Sequence, residues 1–407
     1  MSSWSTSVKK RSVGAALGFL LIIAIWTTFD SDLSLGGGLH ASTNSSDDDG
    51  DGEHCDSPAI FNFGDSNSDT GGYTAAFGRL PPPNGETFFR RSSGRNSDGR
   101  LIIDFIAERL KVPYLSAYLD SFLPNFRHGM NFAQSGATIL PQDGKVFHVG
   151  LNPFSLDLQI LQFEDFKARV MELYDEGKSS SMEGHLPSPD DFSNAFYIID
   201  IGQNDLSYAA YIEDDNFKVS ISNIINHFVT NIERLYKLGA RSFWIHNTGP
   251  FGCLPYFIIK GNHSDPGDFD DVGCLRKHNE IAQAFNSKLK NRIILLKSQL
   301  RDAALTYVDL YTAKYKLIST ANSQGFVDPF DFCCKHHDGN PAGCWERRSV
   351  NGTEINPWSC SNPLEHISWD SIHYTEAANK WVSDLILNGS LSDPQVSISQ
   401  ACRRTSC

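Results

Sequence analysis

Several features that mark particular protein classes are missing from this sequence of 407 residues. Beyond its basic N-terminus it has no cluster of lysine and arginine and no RNA-binding signature, and its formal net charge of −13 disfavours a surface that neutralises phosphates. It has no C-x-x-C pair, no G-x-S-x-G motif and no fixed-period repeat. These absences argue against a nucleic-acid partner, a zinc site, an ordinary α/β-hydrolase lipase and a repeat protein.

The hydrophobic residues, 40% of the chain, are numerous enough to bury a large core. They alternate between short β-rich runs and amphipathic helical stretches. The β-rich runs lie at 59–63, 195–201, 242–247 and 304–310, and the helical stretches lie at 100–110, 217–239, 275–302 and 375–387. Because strands that alternate with helices form parallel sheets covered on both faces, we predict one large α/β domain.

The N-terminal region carries a basic tail and then an apolar run. Lys9, Lys10 and Arg11 precede the apolar residues 13–29, which as a helix would span about 25 Å. That length suits the thinner membranes of the early secretory pathway. We predict an uncleaved signal anchor within 1–29 with its basic end in the cytosol, and a cleaved signal peptide is the alternative. Either segment sends the rest of the chain into the secretory pathway.

Downstream of that segment we predict three further regions. Residues 30–54 are acidic and lack hydrophobic periodicity, which is typical of a flexible linker, and a folded domain at 55–392 precedes a C-terminal tail at 393–407. A glycoprotein is expected, because acceptor sequences for N-glycosylation begin at Asn44, Asn262, Asn351 and Asn388.

Disulfides are the expected state of the nine cysteines, because the secretory lumen is oxidising. Six of them bracket or crowd two polar loops, and the sequence leaves their pairing open: Cys253 and Cys274 at one loop, and Cys333, Cys334, Cys344 and Cys360 at the other. A zinc site built from the second group with His336 and His337 is the rival interpretation. Adjacent cysteines chelate one ion poorly, so we expect no metal.

Two polar turns directly follow predicted strands. Ser66 lies in FNFGDSNSDTGG (61–72), after the first strand, and GQND (202–205) follows the strand at 195–201. Ligands of open parallel sheets bind at the carboxyl ends of strands, so both turns should lie at one edge. A serine hydroxyl is a weak nucleophile until a base removes its proton. Ser66 is therefore a nucleophile if a histidine lies nearby, and an ordinary turn residue otherwise.

His373 is the most informative of the thirteen histidines. Asp370 precedes it by three residues in WDSIHYTEAAN (369–379), and residues three apart on a helical turn face the same way. The carboxylate can therefore orient the imidazole that serves Ser66, and Ser, Asp, His is one of several chain orders that such triads adopt.

Three other polar residues near these motifs are expected to be structural. Asp65 and Asp69 flank the serine, and short acids in turns more often bond to their own backbone than to a histidine. His246, beside the strand at 242–247, is expected to be a hydrogen-bonded core residue.

Five sequence blocks stand in a fixed order along the chain. They are FNFGDSNSDTGG (61–72), NFAQSGATIL (131–140), IGQND (201–205), GPFGCLP (249–255) and WDSIHYTEAAN (369–379). Together they resemble the plant GDSL esterase/lipase family, within the SGNH hydrolase superfamily, over roughly residues 55–390. The resemblance implies an α/β, flavodoxin-like SGNH hydrolase fold with its parallel sheet between helices.

The same resemblance implies roles for individual residues. Ser66 would be the nucleophile, His373 the general base and acid, and Asp370 the carboxylate that orients the imidazole. The oxyanion hole would consist of the backbone N–H groups of Ser66 and Gly136 and the side-chain amide of Asn204. No cofactor is implied.

The resemblance is closest to members with NGETFF (84–89) and SGRNSDGRLIIDFIAE (93–108), some of which look like carbohydrate O-acetyl esterases. We expect a serine esterase that forms an acyl-enzyme on Ser66. Its expected substrates are O-acetyl esters of wall polysaccharide, such as acetylated xylan, or of a glycoside. A Golgi membrane location with a luminal catalytic domain is favoured over release to the apoplast. The alternatives are an acyltransferase with the same triad, a lipase acting on small or lipid esters, and a non-catalytic carbohydrate-binding protein.

Overall fold

The computed structural model describes residues 59–122, 124–142, 151–178, 184–211, 217–261, 263, 265–336, 344, 348–350 and 353–402. The predicted membrane segment and linker, and the acceptors Asn44, Asn262 and Asn351, lie outside the described residues. Asn388 is described and is exposed at the end of the last helix. Within the ranges given above, no helix is long and apolar enough to cross a membrane.

The described strands are β1 (Ile60–Gly64), β2 (Gly129–Asn131), β3 (Phe196–Asp200), β4 (Ser242–His246), β5 (Ala304–Val308), β6 (Arg348–Val350), β7 (Thr353–Ile355) and β8 (Ser392–Asp393). Six of them form the central sheet in the order β2-β1-β3-β4-β5-β8, while β6 and β7 make a separate antiparallel pair. The first five in that order are parallel, and β8 joins β5 antiparallel. The order 2-1-3-4-5 is that of flavodoxin-like folds, which confirms the predicted fold.

The switch point of this sheet lies between β1 and β3. The chain passes from β1 outward to β2 and then returns to the other side of β1, so the connections diverge there. The register pairs Ile60 with Phe196 and Gly64 with Asp200, which brings the carboxyl ends of the two strands level. Open α/β sheets bind ligands in the crevice at such a point.

The α-helices are α1 (Gly72–Phe77), α2 (Ile102–Arg109), α3 (Leu156–Asp175), α4 (Asp191–Asn194), α5 (Gln203–Tyr211), α6 (Phe217–Lys237), α7 (Pro255–Lys260), α8 (Arg276–Gln299), α9 (Leu310–Ser319) and α10 (Glu376–Leu387). In one group α6 packs against α3 and α8, and in another α10 packs against α2 and α9. Every residue of β1, β3 and β4 is buried, so both faces of the sheet are covered.

Two elements of the sheet region were missed by the sequence analysis. β2 has three residues, too few for a visible hydrophobic run. The apolar residues of α3 recur at helical spacing but alternate with charged ones, which hides the pattern. Its buried Phe163 meets Phe61 and Phe63 of β1 with ring centroids 5.1 and 5.8 Å apart, so this helix anchors the strand that leads to Ser66.

Disulfides close the two cysteine-rich loops, as predicted. The bonds are Cys253–Cys274, Cys333–Cys360 and Cys334–Cys344, and Cys402 is also disulfide-bonded. The pairing that the sequence left open is thus two nested loops that start from adjacent cysteines, with Cys334–Cys344 inside Cys333–Cys360. The sulfur atoms of the second group are bonded to each other and are not thiolates that could bind zinc.

The last described residues belong to the folded domain. The predicted boundary at 392 falls inside β8, whose Ser392 and Asp393 pair with β5. Ile398 and Ala401 are buried in the main core, and the short 3₁₀ helix Ile398–Gln400 packs on α2. The segment predicted as a tail therefore contributes to the core as far as it is described.

Candidate active site

Ser66 lies in the turn that follows β1, at the carboxyl edge of the sheet, and is 6% exposed. The strand end before it is fixed from two sides. Gln159 of α3 accepts from the Gly64 N–H at 2.9 Å and donates to the Gly64 carbonyl at 2.8 Å. The Asp65 N–H donates to the Asp200 carbonyl at the end of β3, at 3.1 Å. The serine therefore stands where the strand-edge rule places it.

Asp69 joins the Ser66 turn to the loop that carries Gly136. Its two oxygens accept four backbone hydrogen bonds, at 2.6 to 3.0 Å, from the N–H groups of Gly71, Gly72, Tyr73 and Ser135. Burial raises the pKa of Asp69, and the four donors favour the charged form. The expected structural role is confirmed, and the bond to Ser135 extends it to a second loop.

Gly136 and Asn204 lie on backbone segments that are bonded to each other. Gly136 has a φ of 82°, which glycine adopts readily. Asn204 is the second residue of α5, and its Nδ2 donates to the Ala137 carbonyl at 2.8 Å. The next residue, Asp205, accepts from the N–H groups of Ile139 and Leu140 at 2.8 and 3.1 Å. Burial raises the pKa of Asp205 to about 6 in spite of these bonds.

Asp370 and His373 form a buried pair. His373 Nδ1 lies 2.7 Å from Asp370 Oδ2, and Asp370 Oδ1 accepts from the His373 and Ile372 N–H groups at 2.8 and 3.1 Å. Ser371 has a φ of 75°, an uncommon value outside glycine that tightens the turn between the pair. The carboxylate favours the tautomer with its proton on Nδ1, which leaves Nε2 able to accept one.

Residues 95–100, here called the strap, connect the loop of Gly136 to the loop of His373. Asn96 Nδ2 donates to Ser135 Oγ at 2.9 Å, and Ser97 Oγ donates to the Tyr374 carbonyl at 3.0 Å. The Glu376 N–H donates to Asp98 Oδ1 at 2.7 Å. The strap thus links the loop of Gly136 to the residues that follow His373.

The ends of the strap are held by arginines. Arg95 makes two hydrogen bonds of 2.8 and 2.6 Å to Asp104, and Arg100 pairs with Glu376 at 2.6 Å. The sequence analysis used this segment only as a family marker. Its dense polar composition just before a helix was the available signal, because such residues are buried only when they are paired.

A group of buried charges lies beside the Ser66 turn. Asp200 Oδ2 is 3.1 Å from His246 Nδ1, so His246 is a hydrogen-bonded core residue as predicted, although its Nε2 has no partner among the described residues. Burial and the nearby Asp200 raise the pKa of Asp65 to about 7. His246 and Lys314 hold the pKa of Asp200 below its usual range despite burial, and burial lowers the pKa of Lys314.

Comparison with known proteins decides the family. A family model described as GDSL-like Lipase/Acylhydrolase matches residues 60–386. The chain belongs to the GDSL esterase/lipase family. It is similar to the GDSL esterase/lipase At5g14450 of Arabidopsis thaliana, with 51% identity over 352 residues, 86% of this chain and 90% of that relative. The GDSL esterase/lipase ACHE of Zea mays is 46% identical over 87% of this chain and 91% of its own length.

A third relative within this GDSL family carries a different name. Alpha-L-fucosidase 3 of Arabidopsis thaliana is 44% identical over 357 residues, which cover 86% of this chain and 93% of that protein. The predicted family is confirmed, and the chain is a carboxylic ester hydrolase of the GDSL type.

Proposed function

We propose that the protein is a serine esterase that hydrolyses carboxylic esters through an acyl-enzyme on Ser66. The observation that carries the proposal is the buried 2.7 Å bond between His373 Nδ1 and Asp370. It prepares Nε2 of the imidazole to remove a proton from the Ser66 hydroxyl.

In the proposed first step, Ser66 Oγ attacks the ester carbonyl while its proton passes to His373 Nε2. The bond between the carbonyl carbon and the ester oxygen of the alcohol then breaks, and the imidazolium gives its proton to that oxygen as the alcohol leaves. A water molecule, deprotonated by the same nitrogen, releases the acid in the second half-reaction. Asp370 stays ionised and stabilises the imidazolium throughout.

Free hydrogen-bond donors support an oxyanion site beside the serine. Among the described residues, the backbone N–H groups of Ser66 and Gly136 donate to no protein acceptor. One hydrogen of the Asn204 amide is used by Ala137, and an amide nitrogen carries two. The three donors can therefore bind the oxygen that becomes negative in the tetrahedral intermediate.

The proposed substrate is an O-acetyl ester on a cell-wall polysaccharide, such as acetylated xylan, or on a glycoside. Support comes from the NGETFF and SGRNSDGR segments, which resemble those of carbohydrate esterases. The similarity to the relative named alpha-L-fucosidase 3 also supports a substrate that contains sugar. We place the enzyme in the secretory pathway, with the Golgi membrane favoured over the apoplast. The disulfides among the described residues, such as Cys253–Cys274, fit that oxidising compartment.

The test measures acetate release from acetylated xylan, together with cleavage of p-nitrophenyl acetate, longer p-nitrophenyl esters and p-nitrophenyl α-L-fucoside. Full-length protein is compared with Ser66→Ala and with the exposed control Ser193→Ala. We expect acetate from xylan with the parent and the control, and none with Ser66→Ala. Cleavage of long esters alone would replace the polysaccharide substrate with a lipid, and fucoside cleavage that survives Ser66→Ala would overturn the mechanism.

A further inference from the structure

Three aromatic rings form a group at the surface, on α1 and on the segment that leads into α3. The ring centroids of Tyr73 and Phe77 are 5.3 Å apart, and those of Phe77 and Phe154 are 5.8 Å apart. Phe77 is 37% exposed, and the other two residues are half-buried. These three residues are here called the aromatic wall. Grouped apolar side chains that stay in contact with water often mark a binding surface.

One end of the aromatic wall is joined to the Ser66 turn. The Tyr73 N–H donates to Asp69 Oδ2 at 3.0 Å, and the same oxygen accepts from the Ser135 N–H at 2.8 Å. Asp69 belongs to the turn that carries the serine, and Ser135 directly precedes Gly136. The start of α1 is therefore fixed to both segments that bear the proposed oxyanion donors of the main chain.

The other end of the aromatic wall is joined to the same two segments. The Asn152 N–H donates to the Gly136 carbonyl at 3.1 Å, and Asn152 Oδ1 accepts from the Phe154 N–H at 2.8 Å. Gln159 Nε2 donates to the carbonyls of Phe154 and Gly64, at 3.1 and 2.8 Å. Gly64 lies two residues before the serine. The aromatic wall therefore borders the proposed catalytic site.

The surface around Phe77 is shallow. Its neighbours Ala75, Ala76 and Gly78 are exposed and have short side chains or none, so they leave part of the ring open to solvent. A long acyl chain is held best in an enclosed apolar pocket. A sugar ring needs only one flat apolar face, because its C–H groups pack on the negative face of an aromatic ring while its hydroxyls stay in water. The shape favours a sugar over an acyl chain.

We propose that the aromatic wall is a sugar-binding subsite of the esterase, in which the ring of Phe77 stacks on a sugar ring of the acetylated substrate. The inference rests on the proposed esterase function. It assigns substrate recognition to three residues that lie outside the five family blocks.

The test compares Phe77→Leu with Phe77→Trp and with the control Phe122→Leu, which is 84% exposed and lies outside the aromatic wall. Full-length proteins are assayed on acetylated xylo-oligosaccharides, p-nitrophenyl acetate and p-nitrophenyl octanoate. Leucine stays apolar but lacks a flat face, so Phe77→Leu should lower kcat/KM on the oligosaccharides about tenfold, mainly through KM. Both p-nitrophenyl esters should be cleaved at the parent's rate. Phe77→Trp and Phe122→Leu should match the parent on every substrate.

Three outcomes of these assays would overturn the proposal. They are an equal loss on all substrates, which indicates a structural role, a loss on the octanoate alone, which indicates an acyl-chain site, and an unchanged rate on the oligosaccharides.

A binding measurement separates the subsite from the chemistry. Calorimetry with Ser66→Ala protein and the acetylated oligosaccharides should show a Kd that rises about tenfold when Phe77→Leu is added. Binding that is absent, or that is the same with and without the Phe77 ring, would overturn the subsite. Binding that depends on the ring, in a parent that releases no acetate from any ester, would instead count against the proposed function.

Discussion

The two halves of the site are held in different ways. The serine half, Ser66 with the loop of Gly136, follows a strand buried on both faces and is tied by backbone N–H groups to Asp69. The histidine half lies on the loop 367–375, outside the sheet. It is held by side chains from distant parts of the chain, such as Ser97 at a separation of 277 residues. The serine half is positioned by the sheet, and the histidine half is positioned by contacts with residues far away in the sequence.

The cysteine-rich loop adds to the support of the histidine half. The N–H groups of Cys333 and Cys334 donate to the carbonyls of Ser368 and Trp369 at 3.1 and 2.6 Å. The Trp369 indole donates to Asn84 at 2.9 Å. Both cysteines are disulfide-bonded, so the loop before Asp370 rests on a cross-linked support.

The largest effect is expected from a substitution that disables the histidine half while leaving the loop in place. Asp370→Asn should lower kcat about 10⁴-fold, because the amide stabilises the wrong tautomer of His373. Steady-state hydrolysis of p-nitrophenyl acetate measures the change, with the exposed Asp384→Asn on α10 as the control. A loss below about tenfold would show that this carboxylate does not orient the base.

A smaller effect is expected when the serine half loses one oxyanion donor. Asn204→Ala should reduce kcat about 10²–10³-fold with KM nearly unchanged, because the lost bond forms only in the transition state. The labelling of Ser66 by a fluorophosphonate should slow as well. Equal kcat values for the variant and the parent would remove Asn204 from the oxyanion hole.

The strap offers a direct comparison of the two halves. Ser97→Ala removes the bond to the Tyr374 carbonyl, and Asn96→Ala removes the bond to Ser135 Oγ. Each change should cost about 1 kcal/mol of unfolding free energy and lower kcat about tenfold. In a plot of kcat against pH, the fall in rate on the acid side should shift only for Ser97→Ala. Only the bond from Ser97 to the Tyr374 carbonyl supports the loop that carries His373. Identical profiles for the two variants would contradict the division into halves.

The smallest effect concerns pH and stability, and it arises in the serine half. Burial raises the pKa of Asp65, Asp69 and Asp205, so the folded state holds protons that the unfolded chain releases near pH 4. The contribution of Asp65 and Asp205 to stability is therefore present below pH 4 and is lost as pH rises through about 6 to 7. The midpoint of thermal unfolding should be higher at pH 5 than at pH 8. The difference between the two midpoints should be smaller in Asp205→Asn. A higher midpoint at pH 8 would contradict this.

The sequence indicated the candidate residues of both halves better than the contacts that support them. Ser66 at a strand end and Asp370 three residues before His373 are local patterns, and local patterns can be read from neighbouring letters. The partners of the strap could not be predicted, because Ser135 and Tyr374 lie far away in the sequence, and a lysine such as Lys314 gives no sign that it will be buried. The disulfide pairing was open because four cysteines lie close together in one loop.

The most direct test of the central claim is to trap the acyl-enzyme. Full-length protein is mixed with p-nitrophenyl acetate, quenched in acid within the first turnover, digested and examined by mass spectrometry. We predict one acetyl group per chain, on the peptide that contains Ser66, and none in Ser66→Ala. An acetyl group on another residue, or hydrolysis with no acetylated peptide at any quench time, would contradict the account.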